Sequence, residues 1–382
     1  MKEQHWMSKN FFIFFFTWGI FLPYWTGWLH DAKGFGVEEA GVIMGLGLVV
    51  RGISTMSFYP LLSNYLSQKK LLFFLTLGSL LVSFLYLPSS SYTSVLIVTL
   101  LFCVLYPCLL PALENSAGIL VQKSGIHYGK SRSYGSLGYV VAVFMVSALT
   151  PHFGDGVILY IMMIGLALLF LLRFFPSPAS LSEGTEDNQN QIWEITKNLF
   201  KEKTFLVVLV ITILLHGSHA SYYSFGYIYL QDKGLAGISI GVLLNIAVLF
   251  EILYFSQADR ILTKWKPSSL LLTASIAGSI RWILYCVPSL WTFILSQTLH
   301  ALSFGMTHYA FIRYITKHFS PKENAIAQGL YSAIAMSFST ALLTLAGGYL
   351  YEWKPEFAFL GMLVCTIPAS LILLKTRNQY HY

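Results

Sequence analysis

Ionisable side chains stand inside stretches of this sequence that are otherwise apolar enough to cross a bilayer: Glu114, Glu251, Arg51, Arg281, Arg313, His219 and His300. A charge at mid-membrane costs about 2.5–3.5 kcal/mol on insertion scales, so it persists where it faces a partner or a wet cavity. Carboxylates and imidazoles in such places can take up and release protons, and guanidinium groups can hold anions. Residues of these types mark paths for protons, ions or solutes, so solute passage is the first chemistry to consider.

The elements that position them must be helices. The chain has 382 residues, 55% hydrophobic and 11% charged, against about 25% charged in ordinary soluble domains. A spanning helix needs about 20 mostly apolar residues, and unsatisfied backbone groups in lipid restrict spans to helices or closed barrels. The apolar runs are continuous and do not alternate, which excludes a barrel. The expected fold class is all-α integral membrane with twelve transmembrane helices, at 9–30, 38–63, 70–88, 92–121, 131–150, 156–175, 204–230, 238–262, 268–287, 290–316, 323–350 and 355–375.

The net charge of +7 does not point to nucleic acid. With the helices so placed, eighteen Lys and Arg fall on one side, only Lys33, Lys233 and Lys354 fall on the other, and Arg51, Arg281 and Arg313 lie within helices. This asymmetry is the positive-inside signature and puts both termini in the cytoplasm. The N-terminal apolar run lacks a small-residue cleavage site and continues through Trp28, so it reads as a first spanning helix and not a removed signal. Cys103, Cys108, Cys286 and Cys365 lie scattered in apolar segments without metal-ligand spacing, as buried small hydrophobes.

Between the sixth and seventh helices lies the one long polar stretch, with Pro176, Pro178, Glu183, Glu186 and Asp187. It divides the chain into six-helix bundles at 1–175 and 204–382, joined by a cytoplasmic linker at 176–203. The halves match without gaps at an offset of 200: Lys33-Gly34 with Lys233-Gly234, Gly41-Val42 with Gly241-Val242, Gly78-Ser79 with Gly278-Ser279, Pro88-Ser89 with Pro288-Ser289. At that offset Arg51 falls on Glu251, so the two halves carry opposite charges at equivalent mid-helix positions.

Three constellations could carry chemistry. Arg132, Gly135 and Tyr139 share one helix face, Gly135 and Gly138 admit a close neighbour, and Glu114 on the preceding helix is the nearest candidate partner for Arg132. The plainer alternative makes Arg132 an interfacial cation with Glu114 as a structural partner. Glu251 has no cation near it in sequence, which suits a proton carrier, or else it is half of an ion pair with Arg132 or Arg281. His216, His219, Tyr223 and Tyr227 form a polar-aromatic stripe; no carboxylate or thiol joins the two histidines to make a metal site.

The segment around Arg132 resembles the fifth-helix entry of lactose permease and its oligosaccharide:proton symporter relatives. The resemblance implies that Glu114 and Arg132 take the places of a sugar-binding pair and Tyr139 that of a tryptophan stacking on the sugar. It extends to Glu251, Arg281 and Leu299-His300, and thirteen residues on to Arg313-Tyr314-Ile315. Ser303 stands where that permease has a proton-carrying glutamate. Over the whole chain the sequence is similar to the phenylpropionate permease branch of the major facilitator superfamily. The residues that carry this likeness are Gly19-Ile-Phe-Leu-Pro23-Tyr-Trp25-Thr-Gly-Trp28, Arg51, His219-Ala-Ser-Tyr-Tyr223, Arg281-Trp282 and Tyr331-Ser-Ala-Ile-Ala-Met336. The superfamily's layout puts substrate between two six-helix halves near the midplane.

The resulting expectation is a monomeric, multi-pass transporter of the cell (inner) membrane, not an enzyme. It would take up a small aromatic carboxylate such as 3-phenylpropionate with a proton, without a cofactor or metal and without nucleic acid. Glu251, His300 and Arg281 are the expected proton-coupling residues. The expected substrate-binding residues are Arg51, Glu114, Arg132, Tyr139, His219, Tyr223 and Trp25, and the alternative substrate is an oligosaccharide or nucleoside.

Overall fold

The computed structural model describes residues 2–182, 189–235, 237–262 and 264–376. The acidic cluster of the linker at 183–187, Arg377 and the side chain of Asp259 lie outside the described residues.

The described chain is helical, with no strand. Its long helices in order are α1 Lys2–Ala32, α2 Val37–Tyr65, α3 Gln68–Leu85, α4 Tyr92–Ser124, α5 Tyr128–Phe153, α6 Val157–Phe174, α7 Lys203–Asp232, α8 Ile238–Ala258, α9 Pro267–Tyr285, α10 at 290–318, α11 Lys322–Trp353 and α12 Pro355–Thr376. All but α9 and α10 are plainly long and apolar enough to span a bilayer. Arg281 in α9, and Gln297 and His300 in α10, make those two more polar.

The residues divide into two compact units, Met1–Asp187 with Leu230–Gly241, and Asn188–Tyr229 with Val242–Tyr382. Among the ten helices plainly long and apolar enough to span, α1 is the most enclosed, with 78% of its apolar window buried, and α7 follows with 67%. These two are equivalent under the sequence offset. Each also ends at a glycine in the left-handed region, Gly34 at φ 75° and Gly234 at φ 80°, where a Cβ would be strained. Those are the matched Lys-Gly pairs.

Two details depart from expectation. α1 begins at Lys2, two turns before residue 9, because its first turns are held from the side. Gln4 accepts from the His127 backbone N–H at 2.8 Å and donates to the His127 carbonyl at 3.1 Å. The linker also holds a helix, Gln189–Leu199. Its Ile195 and Leu199, one turn apart, pack into the second unit's core with Phe205, Phe311 and Tyr314.

Several helices lose regular winding in mid-span. α2 has a π-helical turn at Ser54–Phe58, α4 a 3₁₀ turn at Tyr106–Cys108, α10 a π turn at Ala301–Gly305 and α11 a longer one at Tyr331–Phe338. α7 is broken at Ser218 and His219. Such irregularities gather at functional positions in membrane helices, where freed backbone groups line a cavity or meet side chains.

Candidate functional site

In the first unit, α1 and α5 pack on glycine. A Cβ at Gly138 would run into the Phe12 carbonyl oxygen, and one at Gly135 would lie 2.6 Å from Phe15 Cδ2. This close approach sets Arg132 against α1: its guanidinium carbon lies 4.0 Å from the Phe15 ring centroid. Arg132 Nε donates to Glu114 Oε1 at 3.3 Å, and the Tyr128 hydroxyl donates to Glu114 Oε2 at 2.8 Å. Glu114 and Arg132 thus meet, and Tyr128 completes the group. Both charged side chains are about one-third exposed. Tyr139 lies further along α5, half-buried against the backbone of α1 at Gly19.

Arg51 stands one turn before the π segment of α2, half-buried. Its guanidinium carbon is 4.7 Å from the Trp18 ring. Trp18 in turn stacks on Phe14 at 6.1 Å and on Tyr106 at 6.0 Å, and the Tyr106 hydroxyl is tied to Thr17 at 2.6 Å. Among the described residues no carboxylate pairs with Arg51. Trp25 is placed elsewhere: fully buried, stacked on Trp28 at 4.4 Å and edge-on to Tyr86, it belongs to the packing of the unit. Trp18 is the ring that meets Arg51.

In the second unit Glu251, Arg281, His219, Tyr223 and His300 form one cluster. Glu251 Oε2 lies 3.4 Å from His300 Nε2. Arg281 does not take Glu251, which corrects one of the pairings considered from the sequence. It is fully buried, donates through Nε to the Ser296 carbonyl at 3.1 Å and through Nη2 to Gln297 Oε1 at 3.3 Å. Two rings sandwich it, Tyr222 at 4.4 Å and Trp282 at 4.5 Å. An arginine seated on α10's backbone fixes the floor beneath His300 and contributes positive potential there.

His219 sits at the break in α7. Its Nδ1 lies 2.9 Å from the Leu215 carbonyl, which can only accept, so in the neutral ring Nε2 accepts from the Ser303 hydroxyl at 3.1 Å. Ser303, the residue in place of an acid, is therefore the group that orients His219. The His219 and His300 rings are 5.5 Å apart, and Tyr223 stacks beside His219 at 6.1 Å.

Sequence reasoning missed two features here. Tyr222, three residues after His219 and so on an adjoining face, is the tyrosine over Arg281; the i+3 spacing was a usable signal. The second is a hydrogen-bonded chain in which the Tyr331 hydroxyl bridges His216 Nε2 at 2.5 Å and His308 Nδ1 at 3.0 Å. Nothing in spacing ties α7, α10 and α11 together in this way. Arg313 serves the fold, donating from Nη1 to the Leu262 carbonyl at 2.5 Å.

A protein-family model described as the MFS_1 like family matches residues 5–360. The sequence is 29% identical over 379 residues to a probable 3-phenylpropionic acid transporter of Escherichia coli (strain K12), covering 98% of each chain. It is 27% identical to a maltose permease of Geobacillus stearothermophilus, covering 95% of this chain and 92% of the permease. Among solved structures the fold is similar to the nucleoside transporter NupG, with a TM-score of 0.83, 17% identity and 100% of both chains covered.

Proposed function

The chain belongs to the MFS_1 like family of multi-pass membrane transporters, which are not enzymes, and from that premise we propose that it imports a small aromatic carboxylate such as 3-phenylpropionate together with a proton, by alternating access. The observation that carries this reading is Arg51. A guanidinium inside the membrane with no carboxylate partner among the described residues, lying over Trp18, offers an anion both a charge and an adjacent ring face. A phenyl ring stacking in line with Trp18 and Tyr106 would place its side-chain carboxylate at Arg51. The similarity to a probable 3-phenylpropionic acid transporter supports the same substrate class.

Proton coupling, in this reading, belongs to the second unit. A proton shared between Glu251 and His300 neutralises the one carboxylate of the cluster, while Arg281 and His219 hold the surrounding geometry and Tyr223 adds a ring. Coupling requires that protonation and substrate favour the same conformational state, because a ligand bound equally well in both states shifts nothing. The bundles that alternate are 1–175 and 204–382, joined by 176–203. The lysine and arginine asymmetry favours cytoplasmic termini in a cell inner membrane, and the working unit is the monomer.

A specific observation favours a second reading. The Glu114–Arg132–Tyr128 group offers paired donors and acceptors of the kind that hold sugar hydroxyls, and a maltose permease is among the relatives. The deciding experiment is uptake into proteoliposomes with an acid exterior, using labelled 3-phenylpropionate with maltose and nucleosides as competitors. Accumulation that a protonophore abolishes and that maltose leaves untouched supports the carboxylate symporter. Accumulation of maltose in place of the acid selects the second reading, and uptake indifferent to the pH gradient refutes proton coupling.

A further inference from the structure

We propose that the end of the first unit where α1, α3 and α6 meet binds an anionic phospholipid carrying two phosphodiesters, of the cardiolipin class. Two cavities open there, of ≈ 530 and ≈ 300 Å³, and both have Trp6 and Leu172 in their walls. The smaller is lined by Lys2 and Lys9, one face of α1 at i and i+7; the larger is lined by Lys69 and Lys70. All four lysines are exposed, and among the described residues no aspartate or glutamate lines either cavity. Two pairs of cations around a shared tryptophan match two phosphates better than one.

The wall between the pairs is prepared for such a ligand. Arg173 lies 5.6 Å from the Trp6 ring and is itself bound to the Asn10 side chain and the Leu169 carbonyl, so it fixes the indole in place. Trp6 Nε1 is buried and has no hydrogen-bond partner. A buried donor without a partner is uncommon enough to call for one, and a phosphate oxygen at the junction of the cavities supplies it. Lys69 and Lys70 occupy the first turn of α3, where the helix dipole disfavours cations; a bound anion offsets that cost.

Apolar surface leads away from the cavities, which separates a lipid from a free phosphate. On α3, Phe74 and Leu81 share an exposed face at i and i+7, and on α6 Ile164, Leu168 and Leu171 do the same. α3 and α6 are joined by the Phe73 ring packing against Phe170 at 5.5 Å. Acyl chains lying along these faces hold the headgroup at the level of the lysines. Basic pockets between membrane helices recognise diphosphate lipids in this manner.

The test uses the purified full-length protein in detergent, with lipid binding read by native mass spectrometry and by thermal unfolding. Cardiolipin is compared with phosphatidylglycerol at equal phosphate and with soluble glycerol phosphate. One cardiolipin should bind per chain, more tightly than phosphatidylglycerol. Affinity should fall by roughly fivefold per lysine and about 30-fold in Lys2→Gln/Lys9→Gln or Lys69→Gln/Lys70→Gln. The corresponding arginine pairs, which keep the charge, should bind as the wild type does. Equal affinity of cardiolipin for the wild type and both glutamine pairs, or displacement by glycerol phosphate at like concentration, overturns the proposal.

Discussion

Glu251 Oε2 lies 3.4 Å from His300 Nε2, which places a carboxylate of α8 and an imidazole of α10 in direct reach of one another within the second unit's cluster. Two neighbouring side chains are bonded elsewhere. Arg281 is seated on the Ser296 carbonyl and Gln297, and His219 is held between the Leu215 carbonyl and Ser303. Ser303 cannot carry a proton at physiological pH, so under the proposed symport the carboxylate on α8 and the imidazole on α10 are the groups proposed to share that role. The sites of charge are then two helices that the offset of the halves makes different from their counterparts, since α2 has Arg51 where α8 has Glu251.

In the proposed reading, replacing the Glu251 carboxylate should uncouple transport without abolishing binding. Glu251→Gln keeps the size and a hydrogen-bonding oxygen toward His300 but never releases a proton. Uphill accumulation driven by a pH gradient should be lost, while exchange of labelled for unlabelled substrate across equilibrated vesicles persists. Intact uphill uptake by this variant removes Glu251 from the coupling step.

Arg51 should discriminate by substrate charge. A hydrogen bond to a charged group is worth about 1.5–3 kcal/mol, so Arg51→Gln should weaken carboxylate binding by roughly 10- to 150-fold. Arg51→Lys keeps the charge but loses the planar fork and should fall between. Binding of the uncharged amide of the same acid should respond little to either change. Equal losses for acid and amide would assign Arg51 to folding alone.

The readable parts of the sequence are those set by local or periodic signals. Continuous apolar runs placed the helices, and the Lys33-Gly34 and Lys233-Gly234 pairs marked left-handed turns that close equivalent helices. Gly135 and Gly138 announced a close helix contact, and the spacing of Glu114 and Arg132 allowed their meeting. Facing is a different matter. α1 is aromatic on every side, so periodicity could not tell Trp25, which is buried in a stack, from Trp18, which meets Arg51. His300, which meets Glu251 in place of Arg281, stands immediately before the π turn at Ala301–Gly305, and π turns have no composition of their own. The early start of α1 rests on Gln4 finding the His127 backbone, a contact 123 residues away.

The Tyr331 bridge makes a separate prediction. Tyr331→Phe keeps the ring stacked on Phe311 at 4.2 Å but removes the hydroxyl between His216 and His308. Leaving the buried His216 Nε2 without that partner should lower stability by about 1–3 kcal/mol. If the chain also relays protons, gradient-driven uptake slows while exchange does not. Unchanged melting and unchanged uptake would show that the hydroxyl is dispensable.

The α1–α5 contact should be the least forgiving position in the first unit. A methyl group at Gly138 would meet the Phe12 carbonyl oxygen, a backbone atom of a helix whose apolar window is 78% buried, so neither partner can rotate aside. Gly138→Val forces the helices apart, which loosens Arg132 from Phe15 and with it the approach of Arg132 to Glu114. Overpacking of this kind costs about 1–3 kcal/mol, and more where backbone blocks the way, so the folded fraction seen by size-exclusion chromatography should fall sharply. Gly129→Ala, at a position on α5 where a Cβ meets nothing within 4 Å, is the matched control and should be neutral or slightly stabilising through its gain in helix propensity. A Gly138 variant as stable as this control would show that α1 and α5 can separate without loss, and that Arg132 is positioned by some other contact.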